Sequence, residues 1–209
     1  MFYTSNLKRR SSKIYLVRHG QSEYNIDERI GGNSSLTEKG LKFANELQQW
    51  VEDNIPDASN NLCVWSSTLT RSIECSQNIP CYSFSKWDIL DEINAGICDG
   101  MTYDEIKNTY PDEYEARQKD KFCYRYPQGE SYEDIFIRVE PVIIELERRN
   151  IPVIIVGHQA VLRCIYSYFS NRKYSREEIP HIPFPSHTIV QITPDPFEGT
   201  KEERISFKI

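Results

Sequence analysis

The chain has 209 residues, 27% of them charged and 39% hydrophobic, a profile that suits one globular domain with a sizeable core. Its formal net charge of −6 excludes general nucleic-acid binding, which needs a basic surface. No apolar run approaches the length of a membrane span, and Met1-Phe2-Tyr3 leads into polar residues rather than a signal-peptide core; the expectation is a cytoplasmic protein that engages no membrane.

Residues 1 to 12 show no hydrophobic periodicity and read as a flexible arm. Within it Arg9-Arg10-Ser11-Ser12 has the pattern of a basophilic kinase site, with a solvated tail as the competing reading. Residues 13 to 209 read as one domain, with no internal repeat, low-complexity segment or linker. Ile14-Tyr15-Leu16-Val17 predicts a short buried strand that ends in Arg18-His19-Gly20. A polar loop follows from Gln21 to Ser35. Thr37 caps a predicted helix through about residue 54, with Leu41, Ala44, Leu47 and Val51 on its inner face.

Leu62-Cys63-Val64-Trp65 predicts a second buried strand, closed by Ser66-Ser67 and followed at once by a helix carrying Arg71. Thr102-Tyr103-Asp104-Glu105 is a capping box for a short helix, and Pro111 favours a fresh helix start. From Ser131 a long helix is expected, with Ile135, Val139, Val142, Ile143 and Leu146 inward and a mild kink at Pro141. Val153 to Val156 predicts a further buried strand that runs into Gly157-His158, and residues 160–169 read as helix. Late strands are expected at 188–193 and 205–208. This alternation predicts an α/β fold, three layers deep, with a mainly parallel central sheet covered on both faces. The six cysteines, at 63, 75, 81, 98, 123 and 164, form no CxxC pair and read as free thiols of a reducing compartment, not as zinc ligands.

Two strands of like character end in histidine, at His19 and at His158. If they are parallel neighbours, both imidazoles emerge at the carboxyl edge of the sheet, where open α/β proteins keep their ligand sites. Such a pair can bind a metal, act as nucleophile and partner, or serve only the structure. Arg18 beside His19 favours phosphate chemistry, because a guanidinium clamps an anion that the imidazole can attack. The metal reading lacks nearby carboxylate or thiolate ligands and faces repulsion from Arg18. Arg71, at the same predicted edge, suits phosphate oxygens through its planar fork.

Glu92, if it faces the same pocket, can hold a proton for a leaving alkoxide. Arg117, Lys121 and Arg125, interleaved with Tyr124 and Tyr126 and followed by Tyr132, form a second basic cluster. It reads either as a solvated helix face or as a clamp for a second anionic group. Arg163, one turn after Gln159, can join that clamp.

Together these residues resemble the histidine phosphatase superfamily, whose fold is phosphoglycerate mutase-like. More narrowly, the chain is similar to the fructose-2,6-bisphosphatase domain of the bifunctional 6-phosphofructo-2-kinase/fructose-2,6-bisphosphatases. The resemblance rests on Arg18-His19-Gly20, on 101–106, 124–134 and 140–148, and on His158-Gln159-Ala160-Val161-Leu162-Arg163-Cys164; it covers roughly residues 13 to 195. It implies hydrolysis of fructose 2,6-bisphosphate through a phosphohistidine, with no metal and no cofactor. His19, Glu92 and His158 would be catalytic, and Arg18, Arg71, Asn25 and Gly31 would hold phosphate. Tyr103, Arg117, Lys121, Arg125, Tyr132, Gln159 and Arg163 would hold the fructose 6-phosphate part. Gln21 stands where this family usually has Glu, and Ser34-Ser35 replace a more Asp/Gly-like loop. No G-x-x-x-x-G-K-[ST] loop occurs, so hydrolysis of the sugar bisphosphate without its synthesis is expected. The rival expectations are a histidine phosphatase for another sugar phosphate, a phosphoglycerate mutase, a metal-dependent hydrolase and a non-catalytic sugar-phosphate sensor.

Overall fold

The computed structural model describes residues 12–170, 173–194 and 199–209. The predicted arm therefore lies outside the described residues, except for Ser12, whose hydroxyl donates to the Arg149 carbonyl at 3.2 Å. The strands among the described residues are β1 (Ile14–Arg18), β2 (Cys63–Ser66), β3 (Ser83–Lys86), β4 (Val153–Gly157), β5 (Thr188–Thr193) and β6 (Lys201–Ser206). The helices are α1 (Glu23–Ile26), α2 (Glu38–Asn54), α3 (Ala58–Asn61), α4 (Thr70–Ser76), α5 (Tyr103–Thr109), α6 (Pro111–Lys119), α7 (Tyr132–Arg138), α8 (Glu140–Arg148) and α9 (Gln159–Phe169). None of them is long and apolar enough to cross a membrane.

The strands form one sheet in the order β3-β2-β4-β1-β5-β6. The first four are parallel, and β5 runs antiparallel to both β1 and β6. Central strands covered on both faces must be apolar throughout, and β2 and β4 are buried along their whole length. Side chains alternate across the sheet. Ile14, Leu16, Trp65 and Ile155 pack with Ile135, Val142 and Leu162 of α7, α8 and α9 on one face. Tyr15, Val17, Val64 and Ile154 pack with Phe43, Leu47 and Cys75 of α2 and α4 on the other. This is the expected three-layer arrangement. A smaller cluster of Ala95, Cys98, Ile106 and Tyr126 holds α5 and α6 as a cap.

The α2 cap forms as predicted, with Thr37 Oγ1 accepting from Gly40 N at 3.1 Å. Its inner face differs from the expected one: Phe43 is fully buried, whereas Leu41 is 47% exposed. The face is set by Gly40, which packs on the loop after β1; a Cβ at Gly40 would stand 2.1 Å from the Gln21 carbonyl oxygen. Leu41 lies about 100° around the helix from that contact and turns to solvent.

The long helix from Ser131 is broken rather than mildly kinked, with Val139 separating α7 from α8. Pro141 has no N–H to continue the ladder, yet the five predicted inward residues are all buried. The last strand begins at Lys201, earlier than expected, because pairing with β5 in register Thr193↔Lys201 outweighs its charged composition. The edge strand β3 was not anticipated, since Ser83-Phe84-Ser85-Lys86 carries one apolar residue.

Candidate active site

Sheet register brings the two histidines together. β1 and β4 are parallel neighbours with Arg18 opposite Gly157, and His19 N donates to the Gly157 carbonyl at 3.1 Å. The His19 and His158 rings lie 5.0 Å apart, centroid to centroid. β2 flanks β4 on its other side and delivers Ser67 and, in the first turn of α4, Arg71 to the same edge.

His19 is 3% exposed. Its Nδ1 lies 2.7 Å from the Gly20 carbonyl oxygen, an acceptor only, so Nδ1 carries the proton and donates. Nε2 is left with its lone pair, and Arg71 Nε donates to it at 3.2 Å. Burial, then the Arg71 and Arg18 charges, hold the His19 pKa well below the ordinary histidine value. The ring is therefore a neutral imidazole with a nucleophilic Nε2 fixed in direction. Arg71 is itself anchored, Nη1 donating to the Gly32 carbonyl at 2.7 Å. Arg18 donates through Nη1 to the Phe184 carbonyl at 3.4 Å, and its Nε is buried without a partner.

Glu92 follows the turn Asp88–Leu90. Its Oε1 accepts from Ile93 N at 2.9 Å and from Ala160 N, in the first turn of α9, at 3.3 Å. Asn25 Oδ1 accepts from Ser22 N at 3.1 Å and closes the turn that starts α1. Gly31 takes φ 68°, and a Cβ there would meet Asp99 Oδ1 at 1.7 Å, so only glycine fits beside the cavity at this point.

A cavity of about 470 Å³ runs from this edge toward the cap. At its far end Arg117 is held by tyrosines: Nε donates to Tyr126 Oη and Nη2 to Tyr103 Oη, both at 2.8 Å, with the guanidinium 4.7 Å from the Tyr103 ring centroid. Arg163 donates through Nε to the Ile182 carbonyl at 2.7 Å and through Nη1 to Tyr132 Oη at 3.0 Å. Lys121 Nζ donates to the Pro180 carbonyl at 3.1 Å. Burial, and then the Arg117 and Arg163 charges, push the Lys121 pKa down to about 8. Three cations close enough to repel one another form a site for an anion.

The cavity is lined by every residue expected at the site except His158 and Arg125. His158 is fully buried and stands behind the lining. Arg125 points elsewhere, because Asp134, the third residue of the α7 capping box, captures its guanidinium. Tyr24, Arg29, Tyr124 and Tyr126 also line the cavity. Tyr126 was visible only as an aromatic interleaved with the basic cluster. Arg29 is bound to Glu105 at 3.0 Å and to the Gly100 carbonyl at 2.7 Å, a pairing that no local pattern signals. Among the described residues no group of three or more His, Cys, Asp or Glu side chains could hold a metal ion.

The parallel-sheet edge thus presents a neutral histidine beside one buried arginine, Arg71, and one half-buried arginine, Arg18, with a second histidine behind. The chain belongs to the histidine phosphatase superfamily (branch 1), whose family model matches residues 14–203. It is 46% identical over 209 residues to a Saccharomyces cerevisiae protein named fructose-2,6-bisphosphatase, covering 100% of this chain and 45% of that one. Over 210 residues it is 43% identical to 6-phosphofructo-2-kinase/fructose-2,6-bisphosphatase 3 of Rattus norvegicus, covering 100% of this chain and 36% of that one. The chain thus spans about half or less of the length of these relatives. Among solved structures it is similar to the alpha-ribazole phosphatase from Shigella flexneri, with a TM-score of 0.80 at 18% identity over 94% of this chain and 98% of that one. The fold is that of the phosphoglycerate mutase-like histidine phosphatases.

Proposed function

We propose that this chain is a phosphoric monoester hydrolase that removes the 2-phosphate of fructose 2,6-bisphosphate, giving fructose 6-phosphate and phosphate. The observation that carries the reading is one cavity with two cationic ends, a nucleophile-bearing end at His19 and a second anion clamp at Arg117, Lys121 and Arg163. The names of the full-chain relatives agree with it. The same cavity supports reading Arg117 and Lys121 of the second basic cluster as a substrate clamp, while Arg125 stands outside it.

In the first step His19 Nε2 attacks phosphorus in line, the bond from phosphorus to the sugar oxygen breaks, and Glu92 gives its proton to that oxygen. Arg18 and Arg71 hold the equatorial oxygens, where charge collects in the transition state, and a well-placed donor there is worth about 3 kcal/mol. In the second step Glu92 takes a proton from water, water attacks phosphorus, and the phosphorus–Nε2 bond breaks to release phosphate and neutral His19. Asn25 and the Gly31 backbone border the phosphate end. Tyr103, Tyr132 and Gln159 border the sugar and its 6-phosphate, and anchoring that far phosphate brings the 2-phosphate to Nε2. Six free cysteines, four of them buried, fit the cytoplasmic location that this substrate implies.

A substrate panel tests the proposal. The expected result is a kcat/KM for fructose 2,6-bisphosphate at least about 100-fold above those for 3-phosphoglycerate and fructose 6-phosphate, the ratio an extra buried ion contact supplies. Equal values would overturn the substrate and leave a histidine phosphatase of another specificity. No turnover of any of them, with tight sugar-phosphate binding, would favour a sensor.

A further inference from the structure

His158 lies too deep to line the cavity, and its surroundings constrain how it can act. Its Nε2 is 2.7 Å from Ser67 Oγ and 3.2 Å from Ser72 Oγ. All three side chains are buried. Its Nδ1 is buried with no hydrogen-bond partner.

Ser67 decides the proton positions. Its Oγ already accepts from Leu69 N at 3.3 Å, and His158 Nε2 is the acceptor within reach of its hydroxyl proton. If Nε2 carried the imidazole proton, the hydroxyl protons of Ser67 and Ser72 and the Nδ1 lone pair would be left without these partners. If Nδ1 carries it, Ser67, the nearer serine, donates to Nε2, and only the Ser72 hydroxyl proton and the Nδ1–H are left over. Buried polar groups that find partners outweigh those that do not, and the bond made by one ring nitrogen sets the state of the other. Burial, and then the Arg71 and Arg18 charges, keep the ring neutral, as a two-tautomer argument requires.

We propose that Ser67 is a positioning residue that fixes His158 as the Nδ1–H tautomer, so that Nδ1–H is the buried donor reserved for an oxygen of the phosphoryl group on His19. Two donors at the His19 end are then buried without a partner, Nδ1 of His158 and Nε of Arg18. They meet an acceptor when the phosphoryl group arrives, which is the differential stabilisation that accelerates a reaction. The inference rests on the phosphatase reading for its purpose, but the tautomer is measurable without any substrate.

The test is long-range ¹H–¹⁵N spectroscopy of the histidine rings in the whole chain at neutral pH, with His158 assigned by the signals lost in His158→Gln. A protonated Nδ1 and a bare Nε2 are expected, and orthovanadate as phosphoryl mimic should move the Nδ1–H resonance downfield. A resting Nε2–H tautomer would overturn the proposal, as would an Nδ1–H unmoved by saturating vanadate. Ser67→Ala should release the tautomer preference and lower kcat about 10- to 100-fold with KM within about twofold, the pattern of a donor used only in the transition state. A folded Ser67→Ala protein with the parental tautomer and kcat would also overturn it. Failure of the substrate panel alone would leave the tautomer result standing.

Discussion

The two ends of the cavity are built by different means. At the His19 end Arg18, His19 and His158 hang from the ends of β1 and β4, Arg71 from the first turn of α4 beyond β2, and Glu92 from the turn after β3, and sheet register sets the strand ends side by side: Arg18 opposite Gly157, Ser66 opposite Val156. At the Arg117 end no strand takes part. Arg117 and Lys121 come from α6 and the loop after it, and they are held by tyrosine hydroxyls and by the Pro180 carbonyl. Arg163, from α9, and its partner Tyr132, from α7, tie that end to the helices packed on the sheet.

The His19 end is thus placed by the central sheet, while the Arg117 end belongs to a small cap with its own cluster. Under the proposed function this division separates chemistry from selectivity, and substitutions at the two ends should divide the kinetic constants in the same way. Arg71→Ala should lower kcat about 100- to 1,000-fold while KM changes far less, because the charge it meets develops in the transition state; steady-state kinetics at saturating substrate checks this. Arg117→Ala should instead raise KM about 30-fold, the cost of about 2 kcal/mol for losing one side of a charged contact, and leave hydrolysis of a simple phosphate monoester unchanged. A loss of kcat in Arg117→Ala as large as that in Arg71→Ala would break the comparison.

The pH dependence sharpens it. Lys121, with a pKa pushed down to about 8, is charged below that value and loses its charge as pH rises through it. kcat/KM, which reports the free enzyme, should therefore fall above pH 8, by about tenfold when one charged contact worth about 1.4 kcal/mol is lost. Lys121→Arg should keep kcat/KM level to about pH 10, because guanidinium does not titrate there. The smallest effect is expected of Arg125→Ala, within about twofold in every constant, since exposed ion pairs contribute little and Asp134 holds this side chain away from the cavity.

The same contrast explains what was legible in the sequence. The His19 end could be read because buried parallel strands carry a dense apolar signal and their ends announce the site: Ile14 to Val17 leads into Arg18-His19, and Val153 to Val156 into Gly157-His158. The helix starts at Thr37, Thr102 and Pro111 were visible through capping chemistry. The cap end could be read only as a basic, aromatic cluster, because its geometry depends on tertiary partners. Arg117 and Arg125 look alike in sequence; a capping-box carboxylate at Asp134 takes one out of the cavity, and Tyr103 and Tyr126 hold the other in it. Ser67 and Ser72 gave no signal, since small polar residues after a strand are ordinary until the neighbouring strand sets His158 against them. Edge strands β3 and β6 lack the apolar alternation that half-buried strands show, and their pairing with β2 and β5 overrides composition.

The central claim is that His19 is the nucleophile for the phosphate at one end of a substrate anchored at the other. It is tested most directly by rapid acid-free quenching of the protein after brief mixing with fructose 2,6-bisphosphate labelled on its 2-phosphate, followed by mapping of the label. Acid-labile, alkali-stable label on His19 is expected, absent from His19→Ala and formed more slowly at low substrate in Arg117→Ala. A protein that turns over the substrate with no label on His19, or a His19→Ala protein as active as the parent, would contradict it.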